Sequence, residues 1–319
     1  MASATVSPQG IAPKMSSEEI PFNPKVRQHR TFSDWVVDIM IVVLTVAILF
    51  VVIYPIWFII MASFSDPSAV AKGQVSVWPV GFNLKGYSMV FTNEGVWTGY
   101  LNTIIYSLGG TALNVVVTIP AAFALSRREF KPRRVLLFLF TFTMFFAGGI
   151  IPNYILFRQL HMLDTVWVFI LPTAVNVFNL IIARSFFETS IPEELHEASE
   201  LDGLNYYGYF FRIVIPLSSA IIAVITLYYF VQHWNDYFTG LVYMRNWDIQ
   251  PLQMWLQRIL LGTQAATNSS GSMDLGQMQL FADQIKYGII LISTLPLLII
   301  YPFIQKYFNK GVMIGAVKG

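Results

Sequence analysis

Ser190-Ile191-Pro192-Glu193-Glu194-Leu195-His196-Glu197-Ala198-Ser199-Glu200-Leu201-Asp202-Gly203 is a dense polar stretch set between two long apolar segments. Both of its ends are marked. Ser190 and Glu193 have the S-x-x-E spacing of a capping box. Pro192 suits a first helical turn, where its missing N–H is harmless. Glu193 and Glu194 place negative charge at the positive end of the helix dipole. Gly203 stands where a left-handed residue closes a helix. These signals predict a helix of about three turns over 191–202, too short and too polar to cross a bilayer. A second short segment, 204–211, turns the chain back, and Pro216 opens the next apolar run. Such a helix is either a plain connector or a contact surface. Ala198 and Ser199 are small enough to let another protein approach closely.

The flanking segments set the class. The 319 residues are 55% hydrophobic and 12% charged, with a mean hydropathy of +0.58. A soluble domain carries about 25% charged residues, so the chain reads as an all-α membrane protein. Six apolar segments approach the roughly 20 residues needed to cross: 39–62, 100–125, 135–156, 166–187, 213–234 and 285–307. Several contain Gly or Pro (Gly109-Gly110, Pro120, Gly148-Gly149, Pro152, Pro172, Pro296), which spans tolerate when neighbouring helices cover the freed backbone groups. That pattern predicts a packed bundle lining a path.

Orientation follows from Lys and Arg. Fourteen of the 20 fall on the side holding both termini and the 190–212 loop, five of them between Arg127 and Arg134. That side is the cytoplasm. Residues 1–33 read as a disordered cytoplasmic tail. The 64–99 and 235–284 loops lie outside, the latter with a short helix near 252–261 and a flexible stretch over 262–276.

Several function classes are excluded or disfavoured. There is no cysteine, hence no disulfide, thiolate metal site or Cys nucleophile. The four histidines show no metal-ligand spacing, and no GxxxxGK[ST] phosphate loop occurs. A net charge of +2 offers no basic surplus for nucleic acid. A membrane enzyme or sensor would need convergent acids, a metal cluster or a soluble domain. A secondary transporter would need ionisable groups within spans that are nearly free of charge.

The loop resembles the EAA motif of ABC-importer permeases: E-A-A, three residues, Gly, nine residues, I-x-L-P. Glu197, Ala198, Gly203, Ile213 and Pro216 match in register, with Ser199 for the second Ala and Ile215 for Leu. Tyr100-Leu101-Asn102-Thr103, Ala122-Phe123-Ala124-Leu125-Ser126-Arg127 and His233-Trp234-Asn235-Asp236-Tyr237 look like the carbohydrate-uptake, MalG-like branch. The Tyr301–Phe308 and Lys310–Gly319 runs, with Thr143–Gly149, are similar to its LplC-type subgroup, linked to oligosaccharide uptake. The resemblance covers 36–319.

It implies the type I importer permease fold, with six spans and a cytoplasmic coupling helix. It also implies a second permease subunit, a cytosolic ATPase dimer that carries the ATP and Mg, and an external solute-binding lipoprotein or periplasmic protein. The site would be the bacterial inner membrane, with both termini cytoplasmic and no catalysis or bound cofactor on this chain. The ATPase-coupling residues would be Glu193, Glu194, Glu197, Ala198, Ser199, Asp202 and Gly203, with Ile213 and Pro216 tying the loop to the spans. The tail 311–319 would be a second contact. On the substrate side, Trp234, Asn235, Asp236 and Tyr237 pair aromatic faces with polar groups, as a sugar site requires. Asn102 is polar within a span, suited to the path or to interhelical hydrogen bonding, as is Asn114. The same architecture could import a peptide or polyol.

Overall fold

The computed structural model describes residues 32–269 and 285–302, and every regular element among them is helical. The tails 1–31 and 303–319 and the stretch 270–284 lie outside the described residues, and with them the expectations for both termini. The chain divides into two compact units, 1–54 and 55–319.

The first unit is carried by most of α1 (Phe32–Ser63), which begins at Phe32, two residues inside the segment read as tail. Every side chain from 32 to 54 is exposed, and nearly all are apolar. A helix this long and bare is built for lipid.

In the second unit, α2 (Pro67–Ala71) and α3 (Lys85–Phe91) lead into α4 (Glu94–Ser126). Then come α5 (Arg133–Phe145), α6 (Ile150–Gln159), α7 (Trp167–Ile170), α8 (Val177–Ser190), α9 (Glu194–Leu201) and α10 (Tyr206–Tyr209). A wide π turn, Phe210–Val214, precedes α11 (Ile215–Leu217), α12 (Ser219–Trp234), α13 (Phe238–Tyr243), α14 (Leu252–Ser269) and α15 (Ile285–Pro302). α4 is the axis on which α8, α12 and α14 pack. One core forms around its C-terminal half, from Phe123, Phe187, Tyr209, Val214 and Ile225. Another forms around its N-terminal end, from Val96, Phe230, Trp234, Leu252 and Ile289.

Not all six apolar segments are single helices. By length and composition α1, α4 and α15 each suffice to cross. The 135–156 segment is the pair α5 and α6, bent by 114° where the chain turns through Gly148-Gly149. The 213–234 segment is bent by 79° at Ser218. Pro216 cannot donate its backbone hydrogen bond, and the preceding π turn absorbs the misfit. The 166–187 segment starts as one turn, α7, breaks at Pro172 and resumes only at Val177. The outer helix expected over 252–261 runs on to Ser269, into the stretch read as flexible. Its Gln264-Ala265-Ala266 run favours helix.

Candidate functional site: the 190–212 loop and its mounting

α9 is shorter than its sequence signals predict. α8 continues through Ser190, so Ser190 is a helical residue and caps nothing. Ile191, before Pro192, is extended, as the proline ring demands (φ −113°, ψ 97°). The helix therefore starts at Glu194, with Glu193 at its N-cap and no side-chain cap. Its end follows the expectation. Gly203 is left-handed (φ +77°), its N–H donates to Glu200 O at 2.9 Å, and Leu204 N–H donates to Ser199 O at 2.9 Å. These two bonds are a Schellman motif. Among the described residues nothing lies within 4 Å of a Cβ built on Gly203, so the backbone angle is what demands glycine there.

The two faces of α9 differ. Glu194, Glu197, Ala198 and Leu201 follow helical spacing, and all four are exposed. Glu193, Asp202 and Gly203 are exposed beside them. Leu201, 91% exposed, and Tyr207, 78% exposed, add apolar knobs that the charge pattern had hidden. Ser199 departs from the expected contact set: it is buried, and its Oγ donates to His196 O at 2.7 Å. His196, which sequence reasoning passed over, is the anchor. Its ring lies 4.6 Å from that of Tyr206 and 4.9 Å from that of Tyr209. The three-residue spacing of His196 and Ser199 was the available signal for an inward face.

Beneath the loop, Tyr209 and Phe210 pack against Phe123 of α4, which also meets Phe187 of α8 edge-on at 5.8 Å. Ile213 packs on this core, while Pro216 is exposed at the bend. Arg127 is buried, stacks over Phe123 at 4.8 Å and reaches Phe187 O at 3.4 Å. Tyr206 donates to Glu129 Oε2 at 2.8 Å; burial and that carboxylate push the phenol well above its usual range, so it stays neutral and donating. Beside the start of α9 opens a cleft of about 570 Å³ lined by Arg127, Arg128, Arg133, Glu188, Glu193 and Glu194. Charge of both signs thus surrounds a rigidly mounted, solvent-facing helix.

The residues expected on the substrate side are not gathered into one surface. Trp234 is buried, its Nε1 donates to Ser293 O at 2.9 Å, and it packs with Tyr100 and Phe230. Asn102 donates to Asp248 O at 2.8 Å and Gln250 O at 3.0 Å, fastening α4 to the 244–251 loop. Asp236 accepts from Thr239 N at 3.0 Å, and burial pushes its carboxyl up. Tyr237 is half-buried at the start of α13. Asn235 is the one of the five with an exposed side chain, and it donates to Val231 O. Asn114 does bond between helices, as read: its Oδ1 meets His233 Nε2 of α12 at 2.7 Å.

Known proteins match this arrangement along most of its length. The chain is 38% identical over 267 residues (84% of this chain, 93% of the relative) to the polygalacturonan/rhamnogalacturonan transport system permease protein YtcP of Bacillus subtilis. It is 38% identical over 293 residues (91% and 98%) to protein LplC of the same organism. A chain from the crystal structure of a bacterial ABC transporter involved in import of the acidic polysaccharide alginate superposes with a TM-score of 0.77. That chain is 32% identical, and the match covers 88% of this chain and 99% of that one. Residues 94–314, which take in the loop and its mounting, match the profile described as binding-protein-dependent transport system inner membrane component. This chain belongs to that family, the membrane permease components of binding-protein-dependent ABC importers.

Proposed function

We propose that this chain forms one half of the translocation path of an ATP-driven importer for oligosaccharides. A second permease subunit supplies the other half. A cytosolic ATPase dimer, holding the ATP and Mg, docks on the 190–212 loop. An external solute-binding lipoprotein or periplasmic protein delivers the sugar. The bent and broken segments complete six crossings, with both termini cytoplasmic. Relatives named for polygalacturonan, rhamnogalacturonan and alginate favour fragments of acidic polysaccharides as cargo.

The observation that carries the reading is the build of α9. Its outward face presents Glu194, Glu197, Ala198 and Leu201, while its inward face is locked through His196 to Tyr206 and Tyr209. A helix free on one side and rigid on the other passes a push from the cytosol into α12 through the π turn and α11. Ala198→Trp tests it. The variant should insert normally yet fail to co-purify with the ATPase and lose ATP-dependent oligosaccharide uptake. Normal assembly and uptake would overturn the docking role.

A further inference from the structure

The break between α7 and α8, residues 171–176, is bonded to the middle of α4, a helix long and apolar enough to cross a membrane. Asn114 donates its amide to Thr173 O, and Asn114 stands about 18 Å by helical rise from the C-terminus of α4 at Ser126. That is more than half of a roughly 30 Å hydrocarbon core. One side of the break is held by α4 and α12. Tyr229 Oη accepts from Asn176 N–H at 2.9 Å and shares a hydrogen bond with Thr118 Oγ1 at 2.7 Å.

The other side is open. The carbonyls of Pro172, Ala174 and Val175 accept no hydrogen bond from the described residues. The amide of Gln232, an exposed residue of α12, has no partner among them either. Lipid can satisfy none of these groups. Irregular backbone and bare amides persist at membrane depth only against protein or a water-filled cavity. The structure has a cavity there, of about 370 Å³, lined by Pro172, Thr173, Asn176, Phe178 and Gln232 together with Met144. That volume falls in the range of small-ligand sites.

Its chemistry is selective. Exposed Phe178 and Met144 offer flat apolar surface, while Gln232 and the free carbonyls offer donors and acceptors. Among the described residues, no charged side chain lines it. Pyranose rings, with C–H faces and hydroxyl edges, match that set; a carboxylate carried on such a ring would be met elsewhere along the path. We infer that the wall made by the 171–176 break, Phe178 and Gln232 is this subunit's sugar-contacting face in the translocation path, reading hydroxyls rather than charge. This rests on the reading of the chain as an oligosaccharide importer.

The chain has no cysteine, so single thiols report cleanly. Gln232→Cys and, in mid-α1, Val46→Cys are placed in the complete transporter with cysteine-free partners and exposed to a charged, membrane-impermeant thiosulfonate. The Gln232 variant should react about tenfold faster or more, because a thiol in hydrocarbon forms little thiolate. Transported oligosaccharide should slow that reaction several-fold. Phe178→Ala should raise the KM for uptake several-fold with ATPase assembly intact. Equal reaction rates for the two thiols, or no protection by sugar in a preparation that transports it, would overturn the inference. Failure of the unsubstituted transporter to take up any oligosaccharide would sink the broader reading instead.

Discussion

The two halves of α4 are held by different chemistry. Its C-terminal end is gripped by aromatic packing: Phe123 touches the rings of Phe187, Tyr206, Tyr209 and Phe210, and Arg127 stacks on it. Its middle and N-terminal parts are held by directed hydrogen bonds. Asn102, Thr103 and Tyr106 bond the 248–252 backbone, Asn114 bonds His233, and Thr118 bonds Tyr229. Packed rings resist displacement in every direction and suit a mounting for a lever. Hydrogen bonds are directional, and in a membrane interior each broken pair leaves polar groups stranded. They fix one arrangement of α4, α12 and the 171–176 break.

The sharpest way to break the polar half is Gly110→Leu. A Cβ at Gly110 would lie 2.4 Å from His233 Nε2, whose bond to Asn114 fills that space. Overpacking of this kind costs about 3 kcal/mol, and unpairing His233 and Asn114 adds to it. The variant should fail to accumulate in membranes or lose thermal stability in detergent by many degrees. A melting temperature within about 2 °C of the parent would show that the His233–Asn114 contact does not organise this half.

The aromatic half predicts a different failure. Gly203→Val forces a β-branched residue into the left-handed region at a strain of about 1–2 kcal/mol, with no clash against any of the described residues. The chain should insert and assemble normally while uptake falls about tenfold or more at unchanged ATP hydrolysis. Gly203→Asn, which tolerates that conformation, should lie between. Full uptake by the valine variant would mean that the Schellman turn does not transmit the stroke.

These two sites also show what the sequence could tell. The Gly203 stop was legible because its cause is local: one glycine, one backbone angle, one helix end. Gly148-Gly149, Pro172 and Pro216 stood out in the sequence, but as residues that a span tolerates or, for Pro216, as the opening of one; whether the chain bends or breaks there depends on partners far away in the chain. Ser190 misled because its capping spacing competed with the continuation of α8, and packing of α8 on α4 won. Trp234 misled for another reason. An indole near a span end suits a membrane interface, a sugar platform or a core equally well, and only the distant Ser293 carbonyl settles its burial. The Gln232 cavity was out of reach for the same reason, since its lining joins α5, the 171–178 stretch and α12.

Tyr229→Phe gives a graded test of the polar half. Its hydroxyl is shared by Thr118 Oγ1 and Asn176 N–H, so the change removes two hydrogen bonds without altering ring packing. The expected loss is about 1 kcal/mol, at the upper side of what single polar pairs contribute in membrane bundles. It should appear as faster proteolysis or hydrogen exchange at 171–177, with the 190–212 loop unaffected. Equal exchange in both segments would blur the two halves into one.

The smallest effect belongs to Tyr206→Phe. The ring stays against His196 and Phe123, and only the 2.8 Å hydrogen bond to Glu129 is lost. That bond lies at the rim, where water competes for both partners, so about 0.5 kcal/mol is the expected loss. If aromatic packing mounts the lever, uptake and ATP hydrolysis should stay coupled in this variant. Tyr206→Ala, which removes the ring as well, should loosen α9 and uncouple them. Should the phenylalanine variant uncouple as strongly as the alanine one, then the mounting is polar at this end too. The hydroxyl, kept neutral and donating by burial and by Glu129, would then be the element that carries force from α9 to the α4–α5 turn.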